Sequence, residues 1–119
     1  SHDSKRPSPH LTGGAVDLTI IDNKGKELDM GTGFDETTEQ THTDYYERLK
    51  KQRKLNKKEE KVLKNRRLLY NIMIEANFTN YPHEWWHYDF GNQVWAFMKE
   101  KKQAIYSVAI PNLRWKHNY

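Results

Sequence analysis

The feature that most constrains this chain is a helical stretch in its middle. From Asn56 to Ala76, the apolar residues Val62, Leu69, Ile72, Met73 and Ala76 recur at spacings near 3.6. This pattern makes one apolar stripe with basic residues opposite it. Asn56 followed by Glu59 has the spacing of an N-cap and its reciprocal carboxylate, and Asp44 followed by Glu47 repeats the signal upstream. One helix is therefore expected from about Tyr45 to Arg53 and a second from just after Asn56. A helix with a single stripe draws most of its stability from docking that stripe on another element. The segments on both sides are β-like.

Upstream, Gly13-Gly14 gives a tight approach to the β-branched run Ala15 to Ile21, in which Val16, Leu18 and Ile20 share one face and Ala15, Asp17 and Thr19 the other. Asp17 thus points away from the greasier side, toward whatever space Ala15 leaves. Asp22-Asn23-Lys24-Gly25 reads as a hairpin turn, Lys26 to Met30 as the returning strand, and Gly31 to Thr38 as a polar loop of the kind that lines sites. Downstream, Trp86, Tyr88 and Phe90 alternate with His87, Asp89 and Gly91. Val94 to Met98, a charged turn at Lys99 to Lys102, and Ala104 to Ala109 read as two more pieces, at least one of them a strand. The expected fold class is α+β: an antiparallel sheet with two helices, residues 44–76, inserted between its halves.

A length of 119 residues fits one domain or part of one. Only 35% of the residues are hydrophobic, but four Trp, seven Tyr and four Phe can build a core on large rings. The absence of Cys excludes disulfides, Cys-ligated zinc and a thiol nucleophile. No apolar run approaches the roughly 20 residues that span a bilayer, so no membrane span is expected. With no initiator Met and no signal peptide, the chain reads as a mature or trimmed piece. Eleven Lys/Arg against Glu59 and Glu60 give the segment from Arg48 to Arg67 a local charge of +9, leaving −5 for the rest of a chain whose total is +4. Such a run could bind a nucleic acid. It lacks interleaved aromatics after Tyr46, however, and its apolar stripe is needed for docking, so a solvated basic face is preferred and no nucleic-acid partner is expected.

Two stretches carry the chemistry. Ser8 to Asp17 supplies His10 and Asp17, and Glu84-Trp85-Trp86-His87 supplies Glu84 and His87. Catalytic zinc takes three protein ligands from His and Asp/Glu and keeps a fourth position open. His10, Asp17 and His87 match that set, with one zinc per chain, and a non-ligand carboxylate at Glu84 can serve as general base. Residues three apart on a regular strand face opposite sides. Glu84 and His87 can meet only if Glu84 sits in a turn after Pro82 and the strand begins at about Trp86. Each residue alone has a plainer reading, Asp17 as a strand-end charge and the two tryptophans as core, and it is the joint spacing that favours a site.

The spacing Ser-x-His-x-x-Gly-x-Ala-x-Asp at Ser8, His10, Gly13, Ala15 and Asp17, followed by Glu-x-x-His at Glu84 and His87, resembles the D-alanyl-D-alanine dipeptidases, the VanX-type zinc dipeptidases of peptidase family M15. Leu28-Asp29-Met30-Gly31-Thr32, Phe34-Asp35 and Arg66-Arg67-Leu68-Leu69 are similar to stretches of that family in the same order. The resemblance implies hydrolysis of the D-Ala-D-Ala dipeptide, zinc on His10, Asp17 and His87, Glu84 as base, and Ser8 and Asp35 holding the substrate ammonium. It further implies a hedgehog/DD-peptidase-like fold of which residues 1–119 are the C-terminal catalytic portion. Members carry an oxyanion-stabilising arginine before the Ser-x-His motif, a role not transferred to Arg6, so a missing N-terminal segment is an expected partner. Peptidoglycan metabolism or vancomycin resistance, in the cytoplasm or periplasm of a bacterium, is the implied setting. The alternatives are a D,D-carboxypeptidase or endopeptidase with the same metal site, or a protein that keeps zinc for structure alone.

Overall fold

The computed structural model describes residues 14–106, with side chains to residue 100. The elements run β1 (Ala15–Asp17), a short 3-10 helix (Glu39–Thr41), α1 (Tyr45–Gln52), α2 (Lys57–Glu75), β2 (Thr79–Asn80), β3 (His87–Asp89) and α3 (Gln93–Tyr106). The strands form one antiparallel sheet in the order β1-β3-β2. Helices α1 and α2 lie between β1 and β2 in the chain, as expected for an α+β fold with two inserted helices. No helix among the described residues is long and apolar enough to cross a membrane.

Helix α2 starts where its capping box places it. The Asn56 side chain accepts from the Glu59 N–H at 2.8 Å, and Glu59 accepts from the Asn56 N–H at 3.0 Å. At α1 the boundary is right but the cap is not. Asp44 has φ −94° and ψ 9°, outside the extended conformation that an N-cap uses, and makes no side-chain cap bond. Its carboxylate instead takes Arg48 Nε at 3.0 Å, and Glu47 joins the helices by gripping Arg67 through two contacts of 2.6 Å.

The core has two parts. Met30, Leu69, Met73, Trp85, Trp86 and Tyr88 pack between α2 and the sheet, with Leu18, Ile20, Leu28 and Phe78 against them. Tyr46, Leu55, Val62 and Leu63 pack between α1 and α2. Both tryptophans are core, as their plainer reading holds. Ile72 and Ala76 depart from their expected stripe and are exposed, while Leu63 and Arg66 are buried instead.

The run expected as one strand to Ile21 pairs with β3 only through Asp17. Its extension continues as Leu18 N–H to Trp86 O at 3.0 Å and then as a hairpin, with Leu28 N–H to Ile20 O at 2.9 Å and a bridge between Ile21 and Glu27. The turn lies where its composition places it. Asp22 Oδ1 accepts from the N–H groups of Lys24 and Lys26, and Gly25 takes φ +81°.

The larger correction concerns the C-terminal third. Val94 to Met98 and Ala104 to Tyr106 are not separate pieces with a charged turn between them but parts of the single helix α3. Asn92 caps it by accepting from Trp95 N–H at 2.8 Å. No Gly or Pro interrupts Gln93 to Tyr106, and Lys, Glu, Gln, Ala and Met all favour helix. A short apolar run has no period of its own that separates strand from helix. Ser107 to Ala109 lie outside the described residues.

Candidate functional site

The sheet register assembles the site. Asp17 pairs with His87 and Ala15 with Asp89 directly across β1 and β3. Cross-strand partners share a face, so all four side chains stand on one side of the sheet. Ala15 does leave room for something, namely the carboxylate of Asp89, which is fully buried.

Two successive turns bring Glu84 to the same place. Glu84 N–H donates to Tyr81 O at 3.0 Å across Pro82, and His87 N–H reaches Glu84 O at 3.3 Å. The strand therefore starts at His87, and the three-residue spacing no longer separates the side chains. Glu84 Oε1 lies 3.8 Å from His87 Nδ1. The turn is held by a buried amide: Asn80 Nδ2 donates to Glu84 O at 3.0 Å and to His87 O at 3.1 Å, while its oxygen accepts from Thr43 Oγ1 at 2.7 Å.

His87 lies among carboxylates. Nδ1 is 3.1 Å from Asp17 Oδ1, and Nε2 is 3.0 Å from Asp89 Oδ2. The ring is mostly covered, whereas Asp17 and Glu84 stand about a third exposed at the mouth. Tyr88, between His87 and Asp89 in the chain, faces the other way. Burial drives its hydroxyl well above the usual tyrosine range, so it offers the site no proton.

This donor set suits a divalent metal. Imidazole nitrogen and carboxylate oxygen are zinc-type ligands, and two atoms bonded to one tetrahedral ion stand roughly 3.3 Å apart. The 3.1 Å between His87 Nδ1 and Asp17 Oδ1 is close to that separation. Among the described residues, no group of three His, Asp or Glu side chains is arranged to hold a metal. Asp17 and His87 are a pair, and His10, expected as the third ligand, lies outside the described residues together with Ser8.

Asp35 is not part of this cluster. It stands on an exposed turn, after Phe34, whose ring packs on Trp86 at 5.4 Å and Trp85 at 5.5 Å. A separate cavity of about 180 Å³ opens beside Phe34, lined also by Thr19, Leu28, Met30, Thr32 and Trp85. Thr19 follows Asp17 by two residues and Trp85 follows Glu84 by one. His42 and His83 stack on each other at 4.7 Å, and Tyr81 touches both His83, at 5.2 Å, and His87, at 5.8 Å.

Sequence reasoning missed Asp89, Asn80 and Asn92. Asp89 had a signal available: it is two residues beyond His87 on an alternating run and so on the same face. Nothing local marks Asn80, whose partners lie 37 residues before it and up to seven after it.

A family model described as D-Ala-D-Ala dipeptidase, peptidase M15, matches residues 2–110. A D-alanyl-D-alanine dipeptidase of Synechocystis sp. is 37% identical over 97 residues, covering 81% of this chain and 39% of that protein. One of Escherichia coli K12 is 38% identical over 82 residues, covering 69% of this chain and 37% of that protein. The chain thus spans under two fifths of the length of either relative.

Proposed function

The chain belongs to the D-Ala-D-Ala dipeptidase family, peptidase M15, and from that premise we propose that it hydrolyses the D-alanyl-D-alanine dipeptide to two D-alanines, using one zinc ion held by His10, Asp17 and His87. The observation that carries this reading is the cross-strand pair Asp17–His87 with the Glu84 carboxylate beside it. A zinc ion held there would polarise the scissile carbonyl and acidify water.

The residues do the rest. Glu84, free of ligand duty, takes a proton from the attacking water and passes it to the leaving amine as the C–N bond breaks and the new C–O bond remains with the acyl product. Its position at the mouth, 3.8 Å from His87 Nδ1 and partly open to solvent, suits a shuttle that must meet both water and amine. Asp17 and His87 are set by the sheet, so the ligand geometry is pre-organised. By the family resemblance the free ammonium of the dipeptide falls to Ser8 and to Asp35, which stands apart from the Asp17–His87–Glu84 cluster on the turn after Phe34 and whose carboxylate can make charge-assisted hydrogen bonds. Residues 44–76 act as a helical insert of one catalytic domain with a hedgehog/DD-peptidase-like core. Turnover of wall-derived dipeptide, in peptidoglycan metabolism or vancomycin resistance, is the setting.

The test compares the full chain with Glu84→Ala for zinc content and D-Ala release. Both proteins are expected to retain about one zinc, while turnover falls by roughly 100- to 10,000-fold in the variant. Failure to take up zinc under metal-replete conditions would sink the site. Preferential cleavage of a pentapeptide stem would replace the dipeptidase by a D,D-carboxypeptidase.

A further inference from the structure

Asp89 raises a question that the proposed reaction leaves unanswered, since a fully buried carboxylate is costly unless its charge is met by hydrogen bonds. Two donors reach it among the described residues: His87 Nε2 at Oδ2, 3.0 Å, and Asn92 Nδ2 at Oδ1, 2.8 Å. Asn92 is itself fixed from the other side. Its oxygen caps α3 by accepting from Trp95 N–H at 2.8 Å, so its amide nitrogen has to face Asp89. An amide turned the other way would set oxygen against carboxylate and N–H against N–H.

This chain of bonds determines which ring nitrogen of His87 keeps its hydrogen when the other nitrogen faces a metal. An ionised carboxylate only accepts, so the Asp89 contact requires N–H at Nε2. Nδ1 is then the nitrogen left to share a metal ion with Asp17, since two acceptors 3.1 Å apart need a cation between them. Asn92 lies against the start of β1. A Cβ added to Gly14 would stand 2.9 Å from both Asn92 Cβ and Nδ2 and 3.1 Å from Phe90 O, closer than real side chains pack. Gly14 O also receives Phe90 N–H at 2.8 Å. The glycine before β1 is the space that Asn92 occupies.

We infer that Asn92 and Asp89 are positioning residues for His87: they run from the N-terminus of α3 to the imidazole and fix its tautomer and orientation for the metal. The inference rests on the metal site proposed above. Partners of this type behind a ligand histidine contribute about 10- to 100-fold in metal affinity. Helix α3 thereby acts on the site through its cap.

The experiment uses the full chain, Asn92→Ser and Asp89→Ala, and measures zinc affinity by chelator competition, the visible spectrum of the cobalt-substituted protein, and thermal unfolding. Serine is a good N-cap but cannot donate an amide hydrogen to Asp89. Asn92→Ser is therefore expected to unfold near the unsubstituted temperature, to bind zinc about 10-fold more weakly, and to alter the cobalt spectrum. Asp89→Ala is expected to lose up to about 100-fold in affinity. If Asp89→Ala does not fold, Asn92→Ser alone decides. Unchanged zinc affinity and an unchanged cobalt spectrum in folded Asn92→Ser overturn the inference while leaving the metal site standing. An unsubstituted chain that takes up no zinc overturns both.

Discussion

Arg66 and His87 are both nitrogen-rich side chains drawn into the fold, and the chain treats them in opposite ways. Arg66 is 4% exposed and spends its donors on main-chain carbonyls: Nε to Met30 at 2.8 Å, Nη1 to His42 at 2.8 Å and Nη2 to Gln40 at 2.7 Å. The rings of Tyr46 and Trp85 face its guanidinium at 4.8 and 5.8 Å. Burial pushes it down to about 10, so it stays a cation at neutral pH. His87 faces ionisable side chains instead, Asp17 and Glu84 on one nitrogen and Asp89 on the other. A cation satisfied by fixed backbone carbonyls is a fastener with nothing left to exchange. An imidazole held among carboxylates keeps a nitrogen whose partner can change, which is what a ligand needs.

The fastener serves the site at a distance. Arg66 ties α2 to the segment 30–42, and that segment carries Thr32, which accepts from Trp85 Nε1 at 2.8 Å, and Phe34, which packs on both tryptophans. Arg66→Met is therefore expected to have the largest effect on stability, about 3 kcal/mol or more, because three carbonyls lose a charged donor within a buried region. Urea denaturation measures it. A loss below about 1 kcal/mol, the size of one ordinary hydrogen bond, would break the contrast between the two residues.

A smaller effect is expected one residue after Met30. Gly31 has φ +86°, and a Cβ there would stand 2.7 Å from the Tyr46 hydroxyl. Gly31→Ala combines backbone strain with that clash and is expected to cost about 1–3 kcal/mol. Thermal unfolding that leaves the alanine variant as stable as the parent would show that the Arg66-bound segment yields, and so is no rigid fastener.

The smallest effect sharpens the comparison from the surface. The half-buried Glu59 carboxyl at the start of α2 is lowered from its ordinary 4.5 to about 2, first by the Arg53 guanidinium and then by the Asn56 N–H. A group held lower in the folded state stabilises above its unfolded value and loses that contribution as pH falls. The stability supplied by Glu59 is thus complete above about pH 4.5 and fades toward pH 2. Melting temperatures across that window should fall less steeply in Glu59→Ala than in the parent. Parallel curves would mean that solvent screens the pair entirely. Arg53, Arg66 and Arg67 all sit in the one basic run of the sequence, yet one is exposed on a carboxylate, one is enclosed by carbonyls, and one bridges two helices.

Much was legible from residues close together in the chain. The capping box at Asn56 and Glu59, the Asp22–Gly25 turn and the break at Pro82 depend on partners a few positions away, and each stands where its composition places it. The second inserted helix followed from its capping box, the first from the Asp44–Glu47 spacing, which marks the start of α1 although Asp44 makes no cap bond, and Asp17, Glu84 and His87 were expected together from spacing and resemblance. Other features depended on what the rest of the chain brings near. The same apolar residues between Val94 and Met98 suit strand or helix until Asn92 caps them, and Asp44 keeps its place at the start of α1 while its carboxylate goes to Arg48.

The sequence by itself determined the chemical types at the site and the local turns that present them, because those rest on side-chain identity and on contacts spanning three or four residues. Only the tertiary structure decided that Asp17 meets His87 and that Arg66 leaves the basic face for the interior. Each of these needs a partner that sheet register or helix docking brings across 24 to 70 residues of chain, and no local pattern encodes that distance.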